Sequence, residues 1–178
     1  ENPHYVNDAE NMQRYCEEYR DFIIAQFENA KKETSYATIY FERVVDLSEF
    51  IPEGFGTVDN TIVADSVLRI NDLKYGKGKF VSAENNSQIK IYAAGLLLEV
   101  SEIYQFETVE MTIYQPRMDN ISTWAMPVSE LLEWAHGELK EKARLAFDGK
   151  GEYLAGKHCQ FCKAANDCSA KASIMLQS

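Results

Sequence analysis

Two apolar-rich runs, residues 57–64 and 67–74, stand on either side of the polar pair Asp65-Ser66, and no other stretch of the chain constrains its fold as much. Such runs, parted by two turn-forming residues, specify a β-hairpin with a two-residue loop. The loop sets the register. With Ala64 facing Val67, Asp59 falls opposite Asp72 and Thr57 opposite Lys74. Opposed residues share a face of the sheet, as do residues two apart on one strand, so Asp59, Asp72 and Lys74 are expected to project together.

Like charges opposed across a ladder repel, so the acidic pair calls for a reason other than stability. Two carboxylates converging from neighbouring strands make a hard oxygen site suited to Mg2+ or Mn2+. A lysine beside them can steady an attacking water or the charge on a phosphate. On spacing alone, a solvated strand end with acidic residues near its turn explains the pattern equally well.

Gly56-x-x-Asp59, then Asp72-x-Lys74 on the next strand, then Gln88-x-x-x-Tyr92 on a following helix resemble, in order and spacing, the motif series of RecB-like nucleases of the PD-(D/E)XK superfamily. The wording of residues 56–59, of Asp72-Leu73-Lys74-Tyr75-Gly76-Lys77-Gly78 and of Asn86-x-Gln88 is closer still to a branch encoded by phages and prophages, known as exonucleases or as a domain of unknown function. The similarity runs from about Glu42 to Lys171. It implies an α/β, restriction-endonuclease-like fold, a mixed β-sheet flanked by helices. The activity it implies is metal-dependent hydrolysis of DNA phosphodiester bonds by an exonuclease of phage recombination or replication, with DNA as the partner and phage recombination proteins as further ones. In that pattern Asp59 and Asp72 would hold Mg2+ or Mn2+, Lys74 would stabilise the attacking oxygen or the developing charge, and Gln88 and Tyr92 would position the strand. Glu42 matches an acidic residue found at about this point in the phage proteins. It is a candidate third acid, with a solvent-facing strand glutamate as the equal alternative.

A chain of 178 residues with 46% hydrophobic content can bury one sizeable core, and a single domain over residues 1–178 is the simplest organisation. No apolar run approaches the roughly 18–20 residues that cross a bilayer, and no basic-then-apolar leader opens the chain. A soluble, cytoplasmic protein with no membrane partner is expected. The chain does not begin with Met, and residues 1–8 hold no start signal, which suggests that an upstream segment is lacking. A net charge of −10 argues against a protein that coats nucleic acid. It leaves room for a nuclease, since Lys74, Lys77 and Lys79 form a local basic stretch beside the carboxylates. The glycines between those lysines would let the backbone approach a phosphate chain closely, although an ordinary lysine-bearing turn has the same composition. The segment lacks the Walker pattern, so nucleotide hydrolysis on that scaffold is rejected.

Along the chain, Asn7 or Asp8 can cap a helix reaching about Lys32, with Tyr15, Tyr19, Phe22, Ile23 and Phe27 at helical spacing. Cys16 lies within it, more simply a partly buried thiol than a metal ligand. Residues 36–46 read as a strand that contains Glu42. Ser87 is a plausible cap for a helix over residues 88–100. Residues 108–117 and 121–126 form a second expected hairpin, and after Pro127, a helix-start signal, an amphipathic helix runs from about Val128 to Phe147. His136 on it is an unremarkable surface residue.

The tail, residues 150–173, carries Cys159, Cys162 and Cys168 in a C-x2-C-x5-C spacing. In a reducing compartment disulfides explain such a group poorly, and metal binding explains it better. Zinc would need a fourth ligand, for which His158 or Cys16 could serve, and a [4Fe-4S] cluster usually takes four thiolates. Iron-sulfur RecB-like nucleases, including helicase-nuclease subunits and CRISPR adaptation nucleases, carry one cysteine before the catalytic motifs and three after. The resemblance matches Cys159, Cys162 and Cys168 to the later three. Cys16 has the order of the first, though it sits inside an expected helix. The rival to the nuclease is a nucleic-acid-binding or assembly module without turnover, stabilised by a zinc or iron-sulfur clip. Oligomeric state, digestion polarity and strand preference are left open.

Overall fold

The hairpin forms as its turn requires. In the computed structural model, which describes residues 3–101 and 103–175, β2 (Phe55–Ala64) pairs antiparallel with β3 (Val67–Leu73), and Ala64 faces Val67. Asp65 makes the turn at φ +49°, a left-handed conformation that a short polar side chain tolerates. β1 (Thr38–Asp46) lies antiparallel along the other edge of β2. β3 is followed by helix α2 (Ser87–Val100), which crosses over to β4 (Thr108–Gln115), parallel to β3, and β5 (Asn120–Pro127) returns antiparallel to β4. The result is a mixed five-stranded sheet in the order β1-β2-β3-β4-β5.

Helices cover both faces. On one, the long helix α1 (Pro3–Glu33) packs Phe27 and the fully buried Ala30 against Ile39, Ile62 and Ala64. Arg69 pins its C-terminal end, with Nη2 2.9 Å from Glu33 Oε2. On the other face α2 supplies Ile89, Ala93 and Leu96 to the main core, where they meet Leu68, Ile70 and Met111. Each large aliphatic side chain buried there contributes about 1.5–3 kcal/mol. Gly95 lets α2 sit close to the sheet, since a Cβ would stand 2.5 Å from Leu47 Cδ2 and 2.7 Å from Val45 Cγ1.

Several local expectations shift. α1 begins before Asn7, and Cys16 is exposed on it rather than partly buried. The cap of α2 is Asn86, not Ser87: its Oδ1 accepts from Gln88 N at 3.1 Å and Ile89 N at 3.3 Å, a contribution of about 1 kcal/mol. The second hairpin turns through a short 3-10 segment, Pro116–Met118. The helix after Pro127 is broken into α3 (Val128–Trp134), a π-helical turn (Ala135–Leu139) and α4 (Lys140–Phe147). A last helix, α5 (Ser169–Met175), follows a 3-10 turn at Lys157–Phe161. Among the described residues, no helix is long and apolar enough to cross a membrane.

One irregularity in the sheet positions the candidate site. Ile39 and Ile62, which pair with each other, face α1, and unbroken strands would put Arg43, Val45, Gly56 and Val58 on that face too. Instead Arg43 reaches Glu99 of α2 at 2.8 Å, Val58 joins the α2-side core, and Val45 and Gly56 lie against Gly95 and Tyr92 of that helix. The alternation therefore inverts on both strands around Glu42 and Asp59, and Glu42 adopts φ +47° there. The β1–β2 register is the same on both sides of the inversion.

Candidate active site

Asp72 lies at the end of β3 and Lys74 just beyond it, where the sheet opens toward the first turn of α2. Asp72 is 7% exposed, and the Lys74 ammonium sits 2.9 Å from its Oδ2 and 3.1 Å from its Oδ1. Lys74 also donates to Gln88 Oε1 at 2.8 Å, and Gln88 Nε2 donates to the Tyr92 hydroxyl at 3.3 Å. Gln88 and Tyr92, one helical turn apart, thus share a side of α2 and complete a relay from Tyr92 to Asp72. Gly56 is what admits Tyr92. A Cβ there would come 2.4 Å from Tyr92 Cε1, so any other residue would push the ring off the sheet.

Asp59 stands at the other side of the opening. The β2–β3 ladder runs only to Asn60 and Asn71, so Asp59 and Asp72 are not the paired ladder residues that the hairpin register implies. Instead Asp59 Oδ2 accepts the Leu73 N–H at 2.7 Å, so the carboxylate takes the place of a strand partner. Below the opening, Asn60 and Asn71 are buried and bonded side chain to side chain at 2.8 Å. Glu42 occupies the matching place on β1 and is exposed. The structure thus brings Asp72, Lys74, Gln88 and Tyr92 into contact, and sets Asp59 and Glu42 along the adjoining strands.

The electrostatics follow from this crowding. Burial raises the Asp72 carboxyl above its ordinary pKa, Lys74 pulls it back, and the Asp59 charge raises it again. The Tyr19 phenol, reaching in from α1, is raised well above the usual range by burial and by the charges of Asp59, Asp72 and Glu42. Tyr19 read from sequence only as a helix-face aromatic, because its approach to the carboxylates depends on how α1 crosses the sheet. Gln115 was not singled out either. This buried amide accepts from Val81 N at 2.8 Å and donates to Lys79 O at 3.0 Å, so it stitches the glycine-lysine loop to β4.

That loop walls an open cavity of about 620 Å3 that runs away from Lys74, with Tyr75, Lys77, Lys79, Gln115 and Gln160 among its lining. Lys77 and Lys79 are exposed, and neither forms an ion pair with a described residue. For a divalent ion, the donor chemistry fits. Asp72 Oδ2 is buried and has no hydrogen-bond partner among the described residues, with the Lys74 ammonium 2.9 Å away, and Mg2+ needs just one or two carboxylates, completing its shell with water and phosphate oxygens. Among the described residues no group of three or more His, Cys, Asp or Glu is arranged to hold a metal. The cysteines as placed do not make a ligand set: Cys16 is exposed on α1, Cys159 Sγ accepts the Gly156 N–H at 3.3 Å, and Cys162 and Cys168 line a separate cavity of about 280 Å3.

Fold and site together define an α/β protein with a mixed sheet whose split between two central strands is lined by acidic residues and a lysine. The chain belongs to the family described as "Protein of unknown function (DUF2800)", whose model matches residues 2–178. A solved structure described as "Crystal structure of SSO0001" is similar to 86% of this chain and 69% of its own, at 13% identity and a TM-score of 0.39.

Proposed function

We propose that the protein is a Mg2+- or Mn2+-dependent deoxyribonuclease of the RecB-like PD-(D/E)XK kind, acting on DNA ends as an exonuclease. The observation that supports this best is the unbroken contact chain Tyr92–Gln88–Lys74–Asp72, which ends beside Asp59 where β2 and β3 part. Asp59 and Asp72 would hold the ion, which when bound supplies charge neutralisation and polarises the phosphate. Lys74, held at a fixed place by Asp72 and Gln88, is positioned to donate to an oxygen of the phosphate or to orient the attacking water. Tyr92 keeps Gln88 in line, and Lys77 and Lys79 offer two cations to the DNA backbone as it leaves the site.

The test is digestion of end-labelled linear DNA and of circular DNA with Mg2+ or Mn2+. Loss of label from linear but not circular DNA, abolished by chelator and by Asp72→Asn, is the expected result. Retention of DNA without digestion under any divalent ion would favour a binding module that lacks turnover.

A further inference from the structure

The hydroxyl of Tyr19 is buried and has no hydrogen-bond partner among the described residues. Buried hydroxyls nearly always have one, and an exception calls for a ligand or a function. The group is aimed rather than loose, because its ring packs 5.2 Å from that of Tyr114, which Phe22 meets from α1 at 5.0 Å. What it lies beside is the site: Tyr114 is the strand partner of Leu73 and its carbonyl accepts the Lys74 N–H at 2.8 Å, and the charges of Asp59, Asp72 and Glu42 reach the phenol. A phenol is protonated throughout the neutral range, so the O–H can only be offered as a neutral donor or as a weak acceptor. A donor beside three acidic residues, bonded to none of them, suits an oxygen that arrives with a ligand.

We infer that Tyr19 is a positioning residue of the candidate active site, whose hydroxyl donates to the water or phosphate oxygen gathered between Asp59 and Asp72. Lys74 and Gln88 approach from the α2 face and Tyr19 from the α1 face, so the bound oxygen is held from both sides of the sheet. The identity of the oxygen as phosphate rests on the nuclease proposal; the place of Tyr19 in the site does not.

Tyr19→Phe removes the oxygen and keeps the ring packing. With the protein labelled by 3-fluorotyrosine, the Tyr19 fluorine resonance, assigned by its absence in Tyr19→Phe, should shift on addition of Mg2+ and stay put in Asp59→Asn. In single-turnover digestion Tyr19→Phe should cut the rate about tenfold or more, the scale of one hydrogen bond to a charged oxygen, with DNA affinity unchanged and the urea midpoint no lower than wild type. A resonance that ignores Mg2+, or a variant that digests at the wild-type rate in an active enzyme, overturns the inference. A wild type that digests nothing, while the Tyr19 resonance still responds to Mg2+ through Asp59, upholds Tyr19 as part of the site and removes the nuclease proposal alone.

Discussion

Glu42 carries backbone strain that the sequence pattern does not foretell. Among the described residues, five other than glycine have positive φ, and Glu42 at +47° is the one inside a strand. A left-handed residue costs about 1–2 kcal/mol, so Glu42→Gly should raise stability by about 0.5–1 kcal/mol after the entropy that glycine loses, read as a higher urea midpoint. An unchanged or lower midpoint would mean that the side chain contributes contacts worth more than the strain. Asp72 is the opposite case, a group legible in the register. Its folded pKa is raised, so its contribution to stability is intact below the ordinary carboxylate range and is lost as pH rises through the raised value. Asp72→Asn should therefore be more stable than wild type at neutral pH, chiefly because it removes a charge held out of water. Thermal melts should show that advantage shrinking as pH falls to about 4. An advantage that grows in acid would reverse the sign assigned to Asp72.

The hairpin was readable because a two-residue loop leaves one register open to it, and Ala64 faces Val67 as that loop demands. The inversion at Glu42 and Asp59 was not readable, since a period-two pattern read from 57 to 64 assumes an unbroken strand. It is this inversion that turns Gly56 toward α2. Gly56→Ala should displace Tyr92, loosen Gln88 and Lys74, and cost about 1–3 kcal/mol as an overpacking change. Gly95→Ala, on the same helix but crowding Val45 of β1 and Leu47 rather than Tyr92, is the control: a similar loss of stability with digestion per folded molecule preserved. Equal loss of digestion in both would show that α2 acts on the site only through its overall seating. The π-helical turn at Ala135–Leu139 was also hidden, because the amphipathic pattern continues across it and a single glycine, Gly137, is tolerated inside a helix without marking a stop.

At the level of the whole molecule, a nuclease of net charge −10, as proposed, would meet DNA through a few well-placed cations, and Lys77 and Lys79, exposed on the cavity beside Lys74, are suited to it. Lys77→Ala with Lys79→Ala should weaken DNA binding across all sequences and lower the slope of log affinity against log salt by roughly 1–2, with Mg2+ affinity nearly unchanged. An unaltered slope would place the DNA on another surface. The cysteine tail shows the limit of spacing: C-x2-C-x5-C names donors, but it does not by itself say how Cys159, Cys162 and Cys168 are arranged relative to one another. The carboxylate-lysine site, by contrast, is built on strands and a helix that pack for reasons visible in their patterns. Its decisive measurement is single-turnover digestion of end-labelled linear DNA in Mg2+ by the wild type, Asp72→Asn and Lys74→Ala at matched, verified folding. The expected result is label released by the wild type and loss of release by at least a hundredfold in each variant, about 2.7 kcal/mol of lost transition-state stabilisation. Release by either variant at the wild-type rate, or none by the wild type with Mg2+ or Mn2+, would contradict it.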